Sequence, residues 1–307
     1  DGGRQHGRIV VSERLGRLPR DDGAGTAAVE HEAGNELRTV DARLEGAGRA
    51  IDDVTVLHPR PVRYHPIGPE AFRADLAGRR IDDVRRRGKY LWAVLGDDAL
   101  VAHLGMSGQF RFNLPGDEHV RNTRVVFHLD DGAELRFVDQ RMFGGLDLRP
   151  RVAECPVPHI ALDPFDPNFD ARAVARRMRS KRTTVKRALL DQSLVSGIGN
   201  IYADEALWRS RLHFETPTQQ LGPRKAVELI RTAGDVMAEA LEQGGTSFDD
   251  LYVHVNGESG YFSRSLNAYG REDEPCTRCG RLIVRVAFMN RSSYLCPACQ
   301  RVPKGRP

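Results

Sequence analysis

Four of the five cysteines stand where metal chemistry can use them. Cys276 and Cys279, then Cys296 and Cys299, form two C-x2-C pairs separated by sixteen residues. Two such knuckles bring four thiolates to one tetrahedral ion, so the spacing reads as a zinc ribbon; a pair of disulfides is the other reading. Four sulfur ligands close the coordination sphere, and the cofactor implied is one structural zinc ion that activates no water. A ribbon this short cannot bury enough apolar surface to fold alone, so the metal must hold its hairpin, which presents Arg285, Asn290 and Arg291. Cys155 is left as a structural thiol.

The second chemical feature is a run of cations. Between Ala171 and Leu190 there are eight Lys or Arg, Lys181 and Lys186 among them, and no acid. Such a run is often a solvated helix face, but it also attracts a phosphate backbone, because each neutralised phosphate releases condensed counterions. The segment VSGIGNIYADEALW, a few residues further on, favours the phosphate reading. In it Gly197 and Gly199 permit a tight turn between helices, and Asn200 stands at the start of the next helix, where free N–H groups favour an anion.

The elements that carry these residues can be read from texture. From Ala50, short β-rich runs (AIDDVTVLHP, LWAVLGD, TRVVFHLDDG, ELRFVDQ) alternate with Gly, Asp and Pro turns, as in a β-sandwich or barrel. Five prolines between Pro150 and Pro167 then mark an interdomain linker. Val174/Met178 and Val185/Leu189 repeat at helical spacing, and QLGPRKAVELIRTAGDVMAEALEQGG continues the pattern. With 307 residues, 40% apolar and 29% charged, and a net charge of +4, the chain suits two folded domains and a small module with a mild preference for polyanions. No apolar run approaches the 18 or more residues of a spanning helix, so the expectation is a cytoplasmic protein that contacts no membrane. The chain opens on Asp1 and its first Met is Met106, which suggests that something upstream is missing or processed; residues 1–35, poor in core formers, are expected to be disordered or atypical.

Several strings resemble, in order, segments of the bacterial formamidopyrimidine-DNA glycosylases: RRRGKYLW, HLGMSGQF, FVDQRMFGG, LLDQSLVSGIGNIYADEALW, GGTSFDDLYVHVNGESGYF and NRSSYLCPACQ. The resemblance implies an α+β multidomain fold: a β-sandwich over 36–149, a linker over 150–168, a helix-two-turn-helix domain with a lesion loop over 169–265, and a zinc β-ribbon over 268–303. It implies a repair glycosylase with abasic-site lyase activity that removes oxidised purines (8-oxoguanine, formamidopyrimidines) from damaged double-stranded DNA. Such an enzyme must flip the base out and fill the gap. Met106, Arg141 and Phe143 match the gap-filling positions; a flexible wedge, a guanidinium and an aromatic ring suit that task. By the same resemblance Lys89 contacts phosphate and acts in β-elimination, Arg291 clamps phosphate, and His119, Lys181, Lys186 and Asn200 contact DNA. Asn256, Gly257, Glu258, Ser259, Gly260 and Tyr261 match the loop that closes over the extruded base, with glycines to let it move.

One departure matters. The family's mature chain opens on a proline, whose secondary amine attacks C1′ of the sugar, followed by a glutamate. A gap-free alignment puts Glu30 and His31 at those positions, so no nucleophile is carried over. Two readings stay open: an enzyme whose N-terminus is an altered reading of the gene, or a degenerate homologue that binds damaged DNA without cleaving it. A relative of endonuclease VIII, with its preference for oxidised pyrimidines, is a more distant third. A monomer is the simplest expectation.

Overall fold

The computed structural model describes residues 47–303 apart from Met106, Pro115, His119, Ala153 and 244–264. The expected atypical segment 1–35, the gap-filling Met106, His119 and the loop 256–261 therefore lie outside the described residues.

Alternating strands build two antiparallel four-stranded sheets. One holds β1 (Ile51–Val56), β5 (Gln109–Asn113), β6 (Thr123–Leu129) and β7 (Glu134–Val138) in the order β1-β6-β7-β5. The other holds β2 (Asp83–Arg87), β3 (Tyr90–Leu95), β4 (Asp98–His103) and β8 (Gly145–Arg149) in the order β2-β3-β4-β8. Period-two alternation turns Val54, Phe127 and Phe137 of the first sheet toward Leu91, Leu95 and Leu146 of the second, and helix α1 (Pro69–Leu76) adds Phe72 and Leu76. Of the sandwich and the barrel that the sequence texture left open, this is the sandwich, as the family resemblance implied. The connection after Pro150 is better packed than its prolines suggest. Val157 is fully buried against Trp92 and Val101 on the outer face of the second sheet, and Asp163, also buried, pairs with Arg86 at 3.0 Å.

The second core is helical. Its elements are α2 (Ala171–Ser180), α3 (Val185–Leu189), α4 (Asn200–Arg209) and α5 (Pro223–Glu242). Asp170 caps α2 by accepting from the backbone N–H groups of Arg172 and Ala173, and Val174, Met178, Val185 and Leu189 are buried as their spacing predicts. Among the described residues no helix is long and apolar enough to cross a membrane. Last comes a two-stranded hairpin, β9 (Val284–Phe288) and β10 (Arg291–Leu295), in register from Arg291 opposite Phe288 to Leu295 opposite Val284.

The hairpin and the helices share a core. Phe288 and Leu295 are buried in the helical cluster, with Phe288 edge-on to Phe214 at 5.5 Å between centroids. Behind Phe288 lies the least expected feature: Lys186, fully buried, 2.5 Å from a carboxylate oxygen of Asp204 in α4. The same ammonium donates to Ser293 Oγ at 2.7 Å and to the Ser292 carbonyl at 3.1 Å, while the Tyr294 N–H donates to Asp204 at 3.0 Å. Burial pushes the Asp204 carboxyl up to about 6 and the Lys186 ammonium down, and each charge is held in place by the other. Removing one partner strands the other in a dry core. Asp204→Asn is expected to lose about 3–5 kcal/mol of stability in urea denaturation of the zinc-loaded protein. Replacing both residues with apolar ones of similar size should recover most of that loss; a single variant as stable as wild type would show that water reaches the pair.

Candidate nucleic-acid interface

Of the predicted gap-filling residues, Arg141 and Phe143 sit on one of two adjoining loops. Residues 104–108 connect β4 to β5, and residues 139–144 connect β7 to β8. Both loops are packed without room for side chains at their glycines: a Cβ on Gly105 would lie 2.7 Å from the Gly144 nitrogen, and one on Gly108 would lie 2.5 Å from the Leu104 carbonyl oxygen. Asp139, fully buried, joins the loops. One carboxylate oxygen accepts from the Ser107 hydroxyl and the other from the Gly144 N–H at 2.7 Å, while Ser107 Oγ in turn accepts from the Arg141 N–H at 2.9 Å. From the other side, Arg60 donates to the Met142 carbonyl at 3.1 Å and Arg63 to the Gly144 carbonyl at 2.7 Å. The outcome is a rigid mount for exposed side chains: Arg141 points into solvent, and Phe143 is 53% exposed although it is large and apolar.

Lys89 occupies the tight β2–β3 turn, where Gly88 adopts φ +56° and leaves only 3.1 Å for a Cβ before Ser196 of the helical domain. That close approach fixes the sandwich against the glycine turn. The Lys89 ammonium is held below its ordinary value by the loss of water around it, although the side chain is exposed, and by the charge of Arg291 in β10 of the hairpin. His103, at the end of β4, is depressed by burial and by the charges of Lys89 and Arg63. Cations of the sandwich and the hairpin therefore lie near enough to disfavour the charged forms of Lys89 and His103, a condition that a bound polyanion relieves.

Between them lies the start of α4. Gly197 adopts φ +86°, the left-handed conformation that only glycine takes without strain, as the turn reading required. The Gln192 side chain spans this turn, accepting from the Gly197 N–H at 3.0 Å and donating to the Ile198 carbonyl at 3.1 Å. Asn200 opens α4 with its amide donating to the Ser292 carbonyl at 3.0 Å, and a Cβ on Gly199 would meet nothing within 4 Å, so the approach to this helix start is open. Lys181, about one-third exposed, pairs with Asp191 at 2.7 Å. The expectation for Lys186 needs correction. Its ammonium is wholly consumed by Asp204, Ser292 and Ser293 inside the core, so it reaches no phosphate; it faces inward because the short α3 turns Val185, Lys186 and Leu189 to the helical core and leaves Arg187 outside.

The four thiols of Cys276, Cys279, Cys296 and Cys299 all lie within 4.8 Å of one another, with Cys279 3.4 Å from Cys296 and 3.5 Å from Cys299. Thiolates about 2.3 Å from a central zinc need such separations, and no oxygen ligand intrudes, so the residues fit one structural zinc. Trp208 Nε1–H donates to Cys276 at 3.4 Å, and Arg278 stacks over the Trp208 ring at 4.0 Å while donating to its carbonyl, which seats the knuckle on α4.

Three family models match: the formamidopyrimidine-DNA glycosylase N-terminal domain over residues 27–146, the H2TH domain of the same family over 160–251, and the zinc finger found in FPG and IleRS over 273–302. The chain belongs to the formamidopyrimidine-DNA glycosylase family. It is 56% identical over 279 residues to the formamidopyrimidine-DNA glycosylase of a Nocardioides species, covering 88% of this chain and 95% of that one. Among solved structures it resembles a point mutant of Lactococcus lactis FPG in complex with Fapy-dG-containing DNA, with TM-score 0.77 and 30% identity over 87% of this chain and 98% of that one. MutM in complex with DNA containing carbocyclic 8-oxo-G is similar at TM-score 0.76 and 28% identity, over 87% and 98% of the two chains. The α+β fold and the zinc module expected from the sequence are thus those of this glycosylase family.

Sequence reasoning missed the residues that act from behind. Asp139, Ser107 and Gln192 all fall inside the motifs that carried the resemblance, but a short polar residue in a loop gives no sign of which neighbours it joins. Glu205 was missed likewise: it accepts from the backbone N–H groups of Asn267, Ala268 and Tyr269 at 2.7–3.0 Å and so ties the chain leading into the ribbon to α4. Two outcomes are expected. Asp139→Asn should weaken binding to duplex carrying an abasic analogue about tenfold, roughly 1.4 kcal/mol, with zinc content unchanged; unchanged affinity would mean the loops hold themselves. Chelation should release one zinc per chain by mass spectrometry and shift Trp208 emission in step with loss of DNA binding. Tight binding by the metal-free protein would contradict the ribbon's part in the site.

Proposed function

We propose that this chain is a bifunctional DNA glycosylase and abasic-site lyase that excises oxidised purines, 8-oxoguanine and formamidopyrimidines, from duplex DNA. The observation that carries the reading is that Lys89 of the sandwich turn, packed by its neighbour Gly88 against Ser196 before the open start of α4, feels the charge of Arg291 from the hairpin. A phosphodiester backbone laid there replaces mutual repulsion with two ion pairs and releases counterions. With the strand clamped, the damaged nucleotide rotates out of the stack, and Met106, Arg141 and Phe143 enter the space it leaves. The braced mount makes this possible, because a wedge that drives unstacking must not yield to it.

Chemistry then needs an amine to attack C1′, displace the base and form a Schiff base, which acidifies the 2′ proton for strand cleavage. The position matched to that amine lies outside the described residues. Lys89, with its lowered proton affinity, is suited to pass a proton during β-elimination, and Arg291, whose planar fork matches two phosphate oxygens, serves as a phosphate clamp. The loop 256–261 closes over the extruded base, and His119, Lys181 and Asn200 line the DNA path. The protein works as a monomer in the cytoplasm, on the nucleoid.

Sodium borohydride trapping tests this reading. The purified full chain, incubated with duplex carrying one 8-oxoguanine opposite cytosine, is expected to yield a covalent protein–DNA adduct and a nicked strand. Tight binding to that duplex with no adduct and no cleavage would overturn the enzyme reading in favour of a damage-binding protein.

A further inference from the structure

On the flank of the helical domain, α2 and α5 form a groove of about 660 Å³. Arg172, Arg176 and Arg179 of α2, at spacings of four and three, line one wall, and Arg224 and Arg231 of α5 line the other. The wall between them is mainly apolar, lined by Ala175, Pro223 and Val227. Two acids complete the lining, Glu228 and Asp235, the first paired with Lys225 at 2.5 Å. Five guanidiniums against two carboxylates leave a surplus of positive charge over an apolar strip.

We propose that this groove docks an acidic peptide segment of another protein, one that carries apolar side chains among its carboxylates. Three observations favour a peptide over a second stretch of nucleic acid. First, the groove is not a continuation of the nucleic-acid interface. Arg177, which donates to the Ser193 carbonyl beside the glycine turn, lies roughly 130° round α2 from the centre of the Arg172/Arg176/Arg179 stripe, at about 100° per residue. Second, the apolar strip rewards buried aliphatic side chains and gives nothing to a phosphate backbone. Third, Glu228 and Asp235 are acceptors set among the donors. A phosphodiester backbone carries negative charge at every step and is repelled there, whereas a peptide can set neutral residues opposite the two carboxylates while its own carboxylates meet the arginines. The arginines suit planar carboxylates well, since a guanidinium grips both oxygens at once.

Fluorescence polarisation on the full zinc-loaded chain tests the proposal with a labelled ten-residue peptide of Asp and Glu containing two Leu. Saturable binding is expected, weakened at least tenfold in the Arg224→Glu/Arg231→Glu variant and at least tenfold when both Leu in the peptide become Ser. The exposed first-turn variant Arg224→Ala should show an intermediate loss. Affinity of both variants for abasic-analogue duplex should stay within about twofold of wild type, which separates this groove from the nucleic-acid interface. Peptide binding that the α5 variants leave unchanged, or no saturable binding at all, would overturn the proposal. So would a labelled ten-nucleotide oligothymidine that binds in place of the peptide and is lost in the same variants, since the groove would then be a phosphate surface.

Discussion

The ion pair between Lys186 and Asp204 sets the geometry on which the rest depends. Neither charge can be tolerated alone in a dry interior, so the α3–α4 unit, the Ser292 carbonyl, the Ser293 hydroxyl and the Tyr294 N–H can meet in only one arrangement. Its consequence is positional more than energetic. A hairpin of two five-residue strands has little core of its own, yet here it is fixed to the helical domain on one side by this pair and by Phe288, and on the other by Trp208 beneath the thiol cluster. Arg291, at the first position of β10, is thereby held near enough for its charge to act on Lys89.

The same logic recurs wherever a side chain must stand in solvent and still keep its place. An exposed contact residue has no packing of its own to orient it, so a buried polar group behind it does the orienting. Asp139 does this for the Arg141 and Phe143 loop, Gln192 for the turn before α4, and Glu205 for the segment entering the ribbon. The glycines in these loops act with them. Gly105 and Gly144 let two backbones approach where any side chain would separate them, and the short separation is what allows one carboxylate to reach both loops.

Much of this architecture was legible in the residues. The cysteine spacing carried the zinc module, because four ligands at two fixed intervals have few other uses. The texture of short β-runs narrowed the first domain to a sandwich or a barrel and the resemblance chose the sandwich, while helical spacing picked out Val174, Met178, Val185 and Leu189 as core. Charge was less informative. Lys181 and Lys186 lie five residues apart in one cationic run and read alike, yet one sits at the surface beside Asp191 and the other is sealed against Asp204, a residue eighteen positions on. Composition records that a lysine is present, whereas burial depends on which face a five-residue helix turns inward, and so short a helix has too few turns for its periodicity to say. The connection around Val157 and Asp163 escaped for a related reason: its prolines break any period, although Val157 is buried on the outer face of the second sheet and Asp163 pairs with Arg86 there.

If the clamp and the braced wedge are for extruding a damaged purine, the event should be visible in solution. The measurement to make is the fluorescence of 2-aminopurine placed beside a single 8-oxoguanine in duplex DNA, followed as the protein is added. Emission is expected to rise on binding as the neighbouring base leaves the stack, and the rise should be abolished in Phe143→Ala at concentrations where that variant still binds. Saturating binding with no change in emission would mean that the chain grips DNA without opening it, and the clamp-and-wedge reading of the site would be wrong.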